Sequence, residues 1–418
     1  MMSYHAVSVS RANTYDVAII GAGVFGAWTA LHLARRKQSV LLLDAYGPAN
    51  ARASSGGESR IIRMGYGADE LYTHWAMRSL AQWKQVFAAA SPSLFDETGV
   101  LWLASENDKR FGSTVSVLTQ NKVPFELLIK SAIEKRYPQF SLHRVDAGIL
   151  ETHSGVLMAR RAVATIVEEA IKHGVEYRLA HVSEPLSPSH DSSPARKTPG
   201  NNEQENRAQQ TSSGDRLNAI AAGTGEHISA RQFVFACGAW LPKLFSQILG
   251  ARIFPTRQEI FFFGLPPGDA RFAAPSFPTW LIQADEVYGM PDLESRGFKI
   301  GFDRHGERID PDTQSRVVSP ESAHLMRDYV SQRFPALRDA PIVETRVCQY
   351  ENTSNGDFLI DRHPQLENVW FAGGGSGHGF KHGPALGEYV AQQLLDGGPA
   401  EPRFALATKA TRQNRAVY

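Results

Sequence analysis

The sequence predicts a two-domain α/β (α+β) fold, in which a Rossmann-like domain is joined to a mostly antiparallel β-sheet domain. Three observations support this fold class. A complete βαβ unit lies near the N-terminus, a second strand–glycine–helix unit lies near the C-terminus, and short runs of alternating apolar residues lie between them. The chain of 418 residues is long enough for two or three domains.

The first βαβ unit occupies residues 16–44, and its glycines predict a dinucleotide site. Gly21, Gly23 and Gly26 follow a short apolar run in the G-x-G-x-x-G spacing. In such a unit the first glycine makes the tight turn, and the second lets a pyrophosphate approach the N-terminus of the helix. The third glycine allows the helix and the strand to pack closely.

The strands on either side of this helix support the same prediction. The runs at 17–20 and 39–43 are apolar, as is typical of buried parallel strands. Asp44 ends the second strand, where an acidic side chain would accept hydrogen bonds from an adenosine ribose. A glycine triplet alone is weak evidence, and its alternative is a purely structural turn. Here the strand, the helix and the acid are all in register.

Two arginines follow in a polar, glycine-containing loop. Arg60 and Arg63 flank Ile61 and Ile62. This arrangement could direct two guanidinium groups at a buried anion, since arginine pairs bidentately with carboxylate or phosphate. The alternative is a pair of solvated surface arginines. The apolar periodicity of residues 70–87 then predicts a helix.

The middle of the chain alternates between the two predicted domains. Short apolar runs predict strands at 96–151, 217–222, 227–230, 232–238 and 252–310, and helical periodicity predicts helices at 160–173 and 321–334. Residues 185–216 are rich in Pro, Ser, Asn and Gln and predict a mobile surface loop, because they offer little apolar surface to bury. The nucleotide-binding domain is predicted from 1–94, 151–250 and 341–418, and the substrate domain from 95–150 and 251–340.

The second strand–glycine–helix unit lies at the opposite end of the chain. It consists of a strand at 369–372, a glycine-rich turn at 373–379 and a helix at 384–395. Two such units fit FAD better than NAD, because a flavin extends from the first unit to the last. The second helix N-terminus would stabilise negative charge on the pyrimidine end of a reduced flavin.

Composition excludes several classes of partner. The formal net charge of +1 provides no single-sign field for nucleic acid or an anionic membrane. The two cysteines, Cys237 and Cys348, are too few for a disulfide framework and indicate a reducing compartment. No stretch approaches eighteen uninterrupted apolar residues. We expect a cytoplasmic protein with no membrane span.

Motifs over nearly the whole chain carry a resemblance to a known family. They are GAGVFG with Asp44, SRIIRMGYG, FACGAW, GFKIGFDRHGERIDPD, CQYENTSNGDFLIDRHP and FAGGGSGHGFKHGP. In these motifs the chain resembles the D-amino-acid-oxidase-like flavoproteins, most closely monomeric sarcosine oxidase, N-methyltryptophan oxidase and pipecolate oxidase. The resemblance implies FAD as the cofactor.

The resemblance also implies roles for individual residues. Cys348 matches the thioether attachment point to the flavin 8α carbon. Lys299 matches a lysine beside the flavin ring, where a fixed cation would stabilise superoxide character as dioxygen takes the first electron. Arg63 and Lys381 match two cations that hold the substrate carboxylate, and Tyr288 matches a tyrosine that lines the same pocket.

The residues expected to hold FAD come from both glycine-rich units and from the loop along the flavin. They are Gly21, Gly23, Val24, Phe25, Gly26, Asp44, Gly57, Arg60, Cys348, Gly374, Gly375, Gly377, Gly379 and Lys381. No metal site is predicted. From the residues alone, Cys348 and Cys237 could be small buried hydrophobes, and strand alternation could point Lys299 into solvent.

Two positions depart from the family pattern. Asp303 and Gly56 stand where sarcosine oxidase has active-site histidines. These changes leave the carboxylate-binding cations and the oxygen-activating lysine in place but alter the groups around the amine. Which N-alkyl amino acid is the substrate therefore stays open, sarcosine included, and an acid at Asp303 could favour a substrate with an extra cationic or polar group.

The expected reaction is the FAD-dependent oxidation of a secondary or N-methyl amino acid to an imine, with dioxygen reduced to hydrogen peroxide. The alternative is a dehydrogenase that passes electrons to a quinone or protein acceptor, for which Lys299 would be irrelevant. A third class is a flavin-binding protein without turnover. The expected partners are the amino acid and dioxygen, and the expected state is a monomer.

Overall fold

The structure is a computed structural model that describes residues 15–88, 90, 92–105, 108–183, 215–223 and 225–413. The predicted mobile loop at 185–216 lies outside the described residues, apart from Asp215 and Arg216. Within the described part of the chain, no helix is both long enough and apolar enough to cross a membrane.

Helices and strands alternate along the chain. The helices are α1 (Val24–Arg35), α2 (Glu70–Phe87), α3 (Lys109–Gln120), α4 (Lys130–Arg136), α5 (Ala159–Lys172), α6 (Leu241–Leu244), α7 (Ser246–Leu249), α8 (Pro320–Arg333) and α9 (Gly383–Leu395). The strands are β1 (Tyr15–Ile20), β2 (Val40–Asp44), β3 (Arg60–Ile62), β4 (Phe95–Asp96), β5 (Val100–Ala104), β6 (Phe125–Ile129), β7 (Ala147–Glu151), β8 (Gly155–Leu157), β9 (Glu176–Leu179), β10 (Ala219–Ala222), β11 (Glu226–Phe235), β12 (Ile253–Phe263), β13 (Thr279–Ile282), β14 (Val287–Met290), β15 (Phe298–Phe302), β16 (Ile342–Thr353), β17 (Leu359–Arg362) and β18 (Val369–Gly373).

The first sheet is the predicted Rossmann-like sheet, with strand order β17-β18-β11-β1-β2-β9 and β10 paired to β11. Strand β1 runs parallel to both β2 and β11, and β11 runs parallel to β18. Parallel strands end at the same edge of the sheet, so the turns after β1 and β18 come together there. This pairing brings the two glycine-rich units to one edge.

One strand of this sheet differs from the sequence prediction. The segments predicted as separate strands at 227–230 and 232–238 form the single strand β11. Its first half pairs antiparallel with β10, and its second half pairs parallel with β1. Arg231, the one residue between the two predicted segments, therefore lies beside a change of partner and not at a break in the strand.

Helix α1 packs against α9, α5 and strands β1, β2 and β18 of the first sheet. The predicted apolar face of α1 is buried, and Trp28 on it is 0% exposed. Trp28 meets Trp83 of α2 edge to face, with ring centroids 5.0 Å apart. These contacts hold the N-terminus of α1 rigidly at the edge of the sheet.

The second sheet is mostly antiparallel, as predicted, with strand order β16-β12-β15-β14-β13-β5-β7-β6. Its neighbouring strands run antiparallel except for β5 and β13, which are parallel. Strand β16 pairs with β12 along its whole length, although it lies beyond the predicted boundary at residue 340. The domain boundaries otherwise stay a prediction.

Candidate active site

The turn between β1 and α1 depends on two glycines for its shape. Gly21 has φ +108°, and a Cβ there would lie 2.4 Å from the Ala236 carbonyl oxygen. A Cβ on Gly26 would lie 1.8 Å from the Gly21 carbonyl oxygen. A Cβ on Gly23, by contrast, would meet only Ser55 Oγ, at an ordinary 3.5 Å. Close packing therefore requires glycine at positions 21 and 26, whereas a Cβ at position 23 would have space.

The acid that ends β2 lies against this turn. The Asp44 carboxylate accepts hydrogen bonds from the backbone N–H groups of Ala22 and Tyr46, both at 2.8 Å. Burial raises the pKa of Asp44 above its usual range. The Val24 N–H at the start of α1 donates to Ser55 Oγ at 3.1 Å. The sequence did not single out Ser55.

A cleft, which we call the dinucleotide cleft, is lined by Asp44 and by residues of both glycine-rich units. The predicted FAD-binding residues that line it are Gly21, Gly23, Val24, Phe25, Asp44, Arg60, Gly375, Gly377 and Gly379. Gly26 and Gly374 shape the two turns behind this lining, and Gly374 has φ +71°. Both glycine-rich units therefore face one continuous space, as a flavin that spans them requires.

Buried polar atoms in the lining test whether a dinucleotide fits. Ser54 Oγ, Gln349 Nε2 and Glu351 Oε1 are buried and have no hydrogen-bond partner among the described residues. All three side chains line the dinucleotide cleft. An unsatisfied buried polar atom is costly, so these atoms fit a cleft whose ligand carries many hydrogen-bonding oxygens. The residues present therefore fit FAD.

A second space, the inner cavity, opens beside the dinucleotide cleft. Arg60, Tyr350, Gly377 and Phe380 line both spaces, so one ligand can extend from the first into the second. The predicted residues that line the inner cavity are Arg60, Arg63, Tyr288, Lys299, Cys348, Gly377 and Lys381. The second sheet and the glycine turn thus bring distant parts of the chain to one site.

Lys299 points into the protein and is only 3% exposed. Its Nζ donates to the Ser59 carbonyl oxygen at 3.0 Å and to Ser59 Oγ at 2.9 Å. Burial, reinforced by the charge of Arg60, lowers the pKa of Lys299 well below its usual range. The alternative of a solvated lysine is wrong, because β15 directs this side chain into the cavity and not to the surface.

Arg63 and Lys381 are both buried, at 6% and 5% exposure. The Arg63 guanidinium lies 4.5 Å from the ring centroid of Tyr66 and 4.4 Å from that of Trp102. Lys381 Nζ donates to the Tyr66 hydroxyl at 3.1 Å and to the His378 carbonyl oxygen at 3.2 Å. Burial and the charge of Arg63 lower the pKa of Lys381 well below its usual range. Both side chains line the inner cavity, so an anion bound there would favour the protonated form of Lys381.

Cys348 lies on β16, where its sulfur contacts an arginine. Arg60 Nη2 donates to Cys348 Sγ at 3.4 Å and to the Ser54 carbonyl oxygen at 2.6 Å. Gly57 lies against the Arg60 guanidinium, because a Cβ on Gly57 would lie 2.5 Å from Arg60 Nη1. Cys237 lies apart from it in the dinucleotide cleft, where Sγ contacts the Ile20 carbonyl oxygen at 3.3 Å.

Asp303 places an acid in the wall of the inner cavity. Its carboxylate accepts a hydrogen bond from the Tyr350 hydroxyl at 3.0 Å. Burial raises the pKa of Asp303, while Tyr350 and the charges of Arg63 and Lys381 lower it. Burial also raises the pKa of Tyr288 above its usual range. The cavity therefore presents cations and an acid to the same ligand.

Several residues of the site were not identified from the sequence. Tyr66 joins Lys381 to His382, whose Nε2 lies 2.7 Å from the Tyr66 hydroxyl. Glu351 and Tyr350 follow Cys348 on β16, and all three lie at the cleft or the cavity. Most residues of β16 are polar or charged, so no contrast with apolar neighbours distinguishes Glu351 in the sequence.

Comparisons with known proteins agree with this geometry. The family model for FAD dependent oxidoreductases (DAO) matches residues 16–393. Monomeric sarcosine oxidase of Streptomyces avermitilis is 30% identical over 93% of this chain and 96% of its own. N-methyl-L-tryptophan oxidase of Salmonella arizonae is 27% identical over 92% of this chain and 96% of its own.

Solved structures share the fold. L-proline dehydrogenase from P. horikoshii superposes with a TM-score of 0.76 at 20% identity, over 94% of this chain and 97% of its own. The two large sheets, the cleft that joins the two glycine-rich units and the family match over residues 16–393 agree with one another. The chain therefore belongs to the DAO family of FAD-dependent oxidoreductases.

Proposed function

We propose that the protein oxidises a secondary or N-methyl amino acid to an imine and reduces dioxygen to hydrogen peroxide. The observation that carries this proposal is the convergence of Arg63, Lys381 and Lys299 on the inner cavity, which continues into the dinucleotide cleft. Relatives named sarcosine oxidase and N-methyl-L-tryptophan oxidase support the substrate class. FAD, when bound, supplies the two-electron acceptor for the amine oxidation.

Arg63 and Lys381 orient the substrate by its carboxylate. Both side chains lie in the wall of the inner cavity, where their positive charge favours an anionic ligand. Lysine has three donors, and Lys381 uses two of them on Tyr66 and His378. The third donor remains for the substrate.

Lys299 serves the oxygen half of the reaction in this proposal. Its two hydrogen bonds to Ser59 fix the position of Lys299 Nζ, and negative charge that develops nearby favours its protonated form against the lowering of its pKa by burial. A preorganised cation of this kind stabilises negative charge as it forms on oxygen, because no reorganisation is needed at that moment. Electron transfer to a quinone or protein acceptor makes no such demand.

Cys348 attaches the flavin covalently in this proposal. The nucleophilic form of cysteine is the thiolate, and such cysteines lie in electropositive surroundings. The Arg60 guanidinium in contact with Cys348 Sγ supplies that environment. The relatives named monomeric sarcosine oxidase support a monomer, and the two free cysteines fit a reducing cytoplasm.

A substrate screen with two readouts tests the proposed function. N-alkyl amino acids are mixed with the holoenzyme without oxygen, and the bleaching of the flavin absorbance is followed. Peroxide is then measured in air. Bleaching with stoichiometric peroxide supports the oxidase. Bleaching without peroxide would identify the dehydrogenase instead, and a flavin that no amino acid bleaches would contradict both.

A further inference from the structure

Glu351 is a buried acid in the dinucleotide cleft that the proposed amine oxidation does not use. It is 5% exposed and lies on β16, directly after Gln349 and Tyr350. All three residues line the cleft. Glu351 Oε1 has no hydrogen-bond partner among the described residues. A Cβ on Gly373 would lie 2.5 Å from this oxygen, so the carboxyl is packed against the second glycine-rich turn.

The position of Glu351 indicates which part of FAD it meets. Asp44, which also lines the cleft, marks the adenosine ribose site. Tyr350, adjacent in sequence to Glu351, lines both the cleft and the inner cavity. Glu351 therefore lies near the junction, where the ribityl chain and the pyrophosphate of FAD pass between the adenosine and the flavin ring.

The protonation state of Glu351 follows from its surroundings. Burial is the largest cause that raises its pKa, to about 7, and the Gly374 and Gly375 N–H groups offset part of this rise. A carboxylic acid at this position can donate a hydrogen bond, whereas a carboxylate can only accept one. A carboxylate would also repel the negatively charged pyrophosphate in a space of low dielectric.

We propose that Glu351 binds FAD as a neutral carboxylic acid, donating a hydrogen bond to an oxygen of the ribityl–pyrophosphate segment, so that FAD affinity depends on pH. The inference rests on FAD binding and is independent of the amine oxidation. Affinity is highest when Glu351 is protonated and falls as the pH rises through its pKa of about 7.

Other titratable groups that line the cleft are alternative sources of a pH-dependent FAD affinity. Those in the described lining are Asp44, Tyr46, Arg60, His181, Cys237 and Tyr350. Burial raises the pKa of the Cys237 thiol, and the charges of Asp44 and Glu351 raise it further. Asp44 is the closest rival, since it is the other carboxyl in the cleft and burial raises its pKa as well.

The test uses the full chain with Cys348→Ala, so that FAD exchanges whether or not the natural protein attaches it. The dissociation constant of FAD is measured by flavin fluorescence, from below to above the pKa of Glu351. The constant should rise above that pKa with a slope approaching about tenfold per pH unit, because FAD binding to the ionised enzyme then requires the uptake of one proton. Adding Glu351→Gln should keep the affinity seen at low pH and remove the slope.

Two further variants separate Glu351 from its rivals. Glu351→Leu should weaken FAD binding at low pH by about two- to tenfold, the cost of one neutral hydrogen bond, and should also show no slope. Asp44→Asn should leave the slope in place. Thermal unfolding of each variant shows that it is folded. A slope that survives Glu351→Gln, or disappears with Asp44→Asn, overturns the proposal, as does a Cys348→Ala protein whose FAD affinity does not change with pH.

Discussion

Removing Lys381 should abolish most of the affinity of the enzyme for carboxylates. In Lys381→Met the side chain keeps its length and loses its charge, so Arg63 alone faces the anion. A hydrogen bond to a charged group contributes about 1.5–3 kcal/mol. The dissociation constant of a simple carboxylate inhibitor, such as an acetate derivative, should therefore rise by about ten- to 150-fold. The spectral shift of the bound flavin measures it.

The same variant should change the pH dependence of inhibitor binding. Burial lowers the pKa of free Lys381 well below its usual range. A bound carboxylate favours the charged lysine and raises that pKa, so inhibitor binding is accompanied by proton uptake once the pH exceeds the pKa of the free enzyme. The dissociation constant of the natural protein should therefore rise with pH, and Lys381→Met should show no such rise.

A matched variant controls for the loss of a buried lysine. Lys409 is 0% exposed, and its Nζ donates to the Arg403 carbonyl oxygen at 2.7 Å, outside the inner cavity. Lys409→Met should lower thermal stability without changing inhibitor affinity. The reasoning fails if Lys381→Met and Lys409→Met weaken the inhibitor equally. It also fails if an esterified inhibitor loses as much affinity as its parent acid in Lys381→Met.

Three further predictions concern the oxygen reaction, the flavin attachment and the glycine turn. Lys299→Met should slow flavin reoxidation by dioxygen by about 100- to 1000-fold and should slow flavin reduction by substrate far less. Stopped-flow traces of the two half-reactions measure both rates. Equal slowing of the two would assign Lys299 to structure or substrate binding. Acid precipitation should leave the flavin in the protein pellet of the natural chain and in the supernatant of Cys348→Ala. Gly23→Ala should fold but retain less FAD, because the added Cβ would enter only the cleft. Gly26→Ala should lower the yield of folded protein, because its Cβ would lie 1.8 Å from a carbonyl oxygen. Equal yields of folded protein from the two variants would contradict this distinction.

Local patterns in the sequence were sufficient to predict most of the elements. The apolar run before Gly21 is β1, residues 70–87 are α2, and the strand–turn–helix pattern near the C-terminus is β18 followed by α9. Each of these elements depends on residues close together in the chain, so periodicity and glycine spacing reveal them. The family and FAD, predicted from motifs of the same local kind, are confirmed by the family match.

The site depended on contacts that no local pattern contains. Whether Lys299 faces solvent or the cavity is decided by Ser59, 240 positions earlier in the chain. Whether Arg63 and Lys381 meet is decided by the convergence of β3 and the turn before α9 on the inner cavity. The role of Glu351 became visible only when an unpaired oxygen was found in the cleft.

The sequence by itself thus determined the fold class, the family and the chemical types of the site residues, because each of these can be recognised from short segments of the chain. The tertiary structure alone decided which side chains are buried, which share a cavity and which lack partners. The physical reason is that burial and electrostatic environment are set by neighbours distant in the chain, whereas secondary structure and turn geometry are set mainly by neighbours within a few residues.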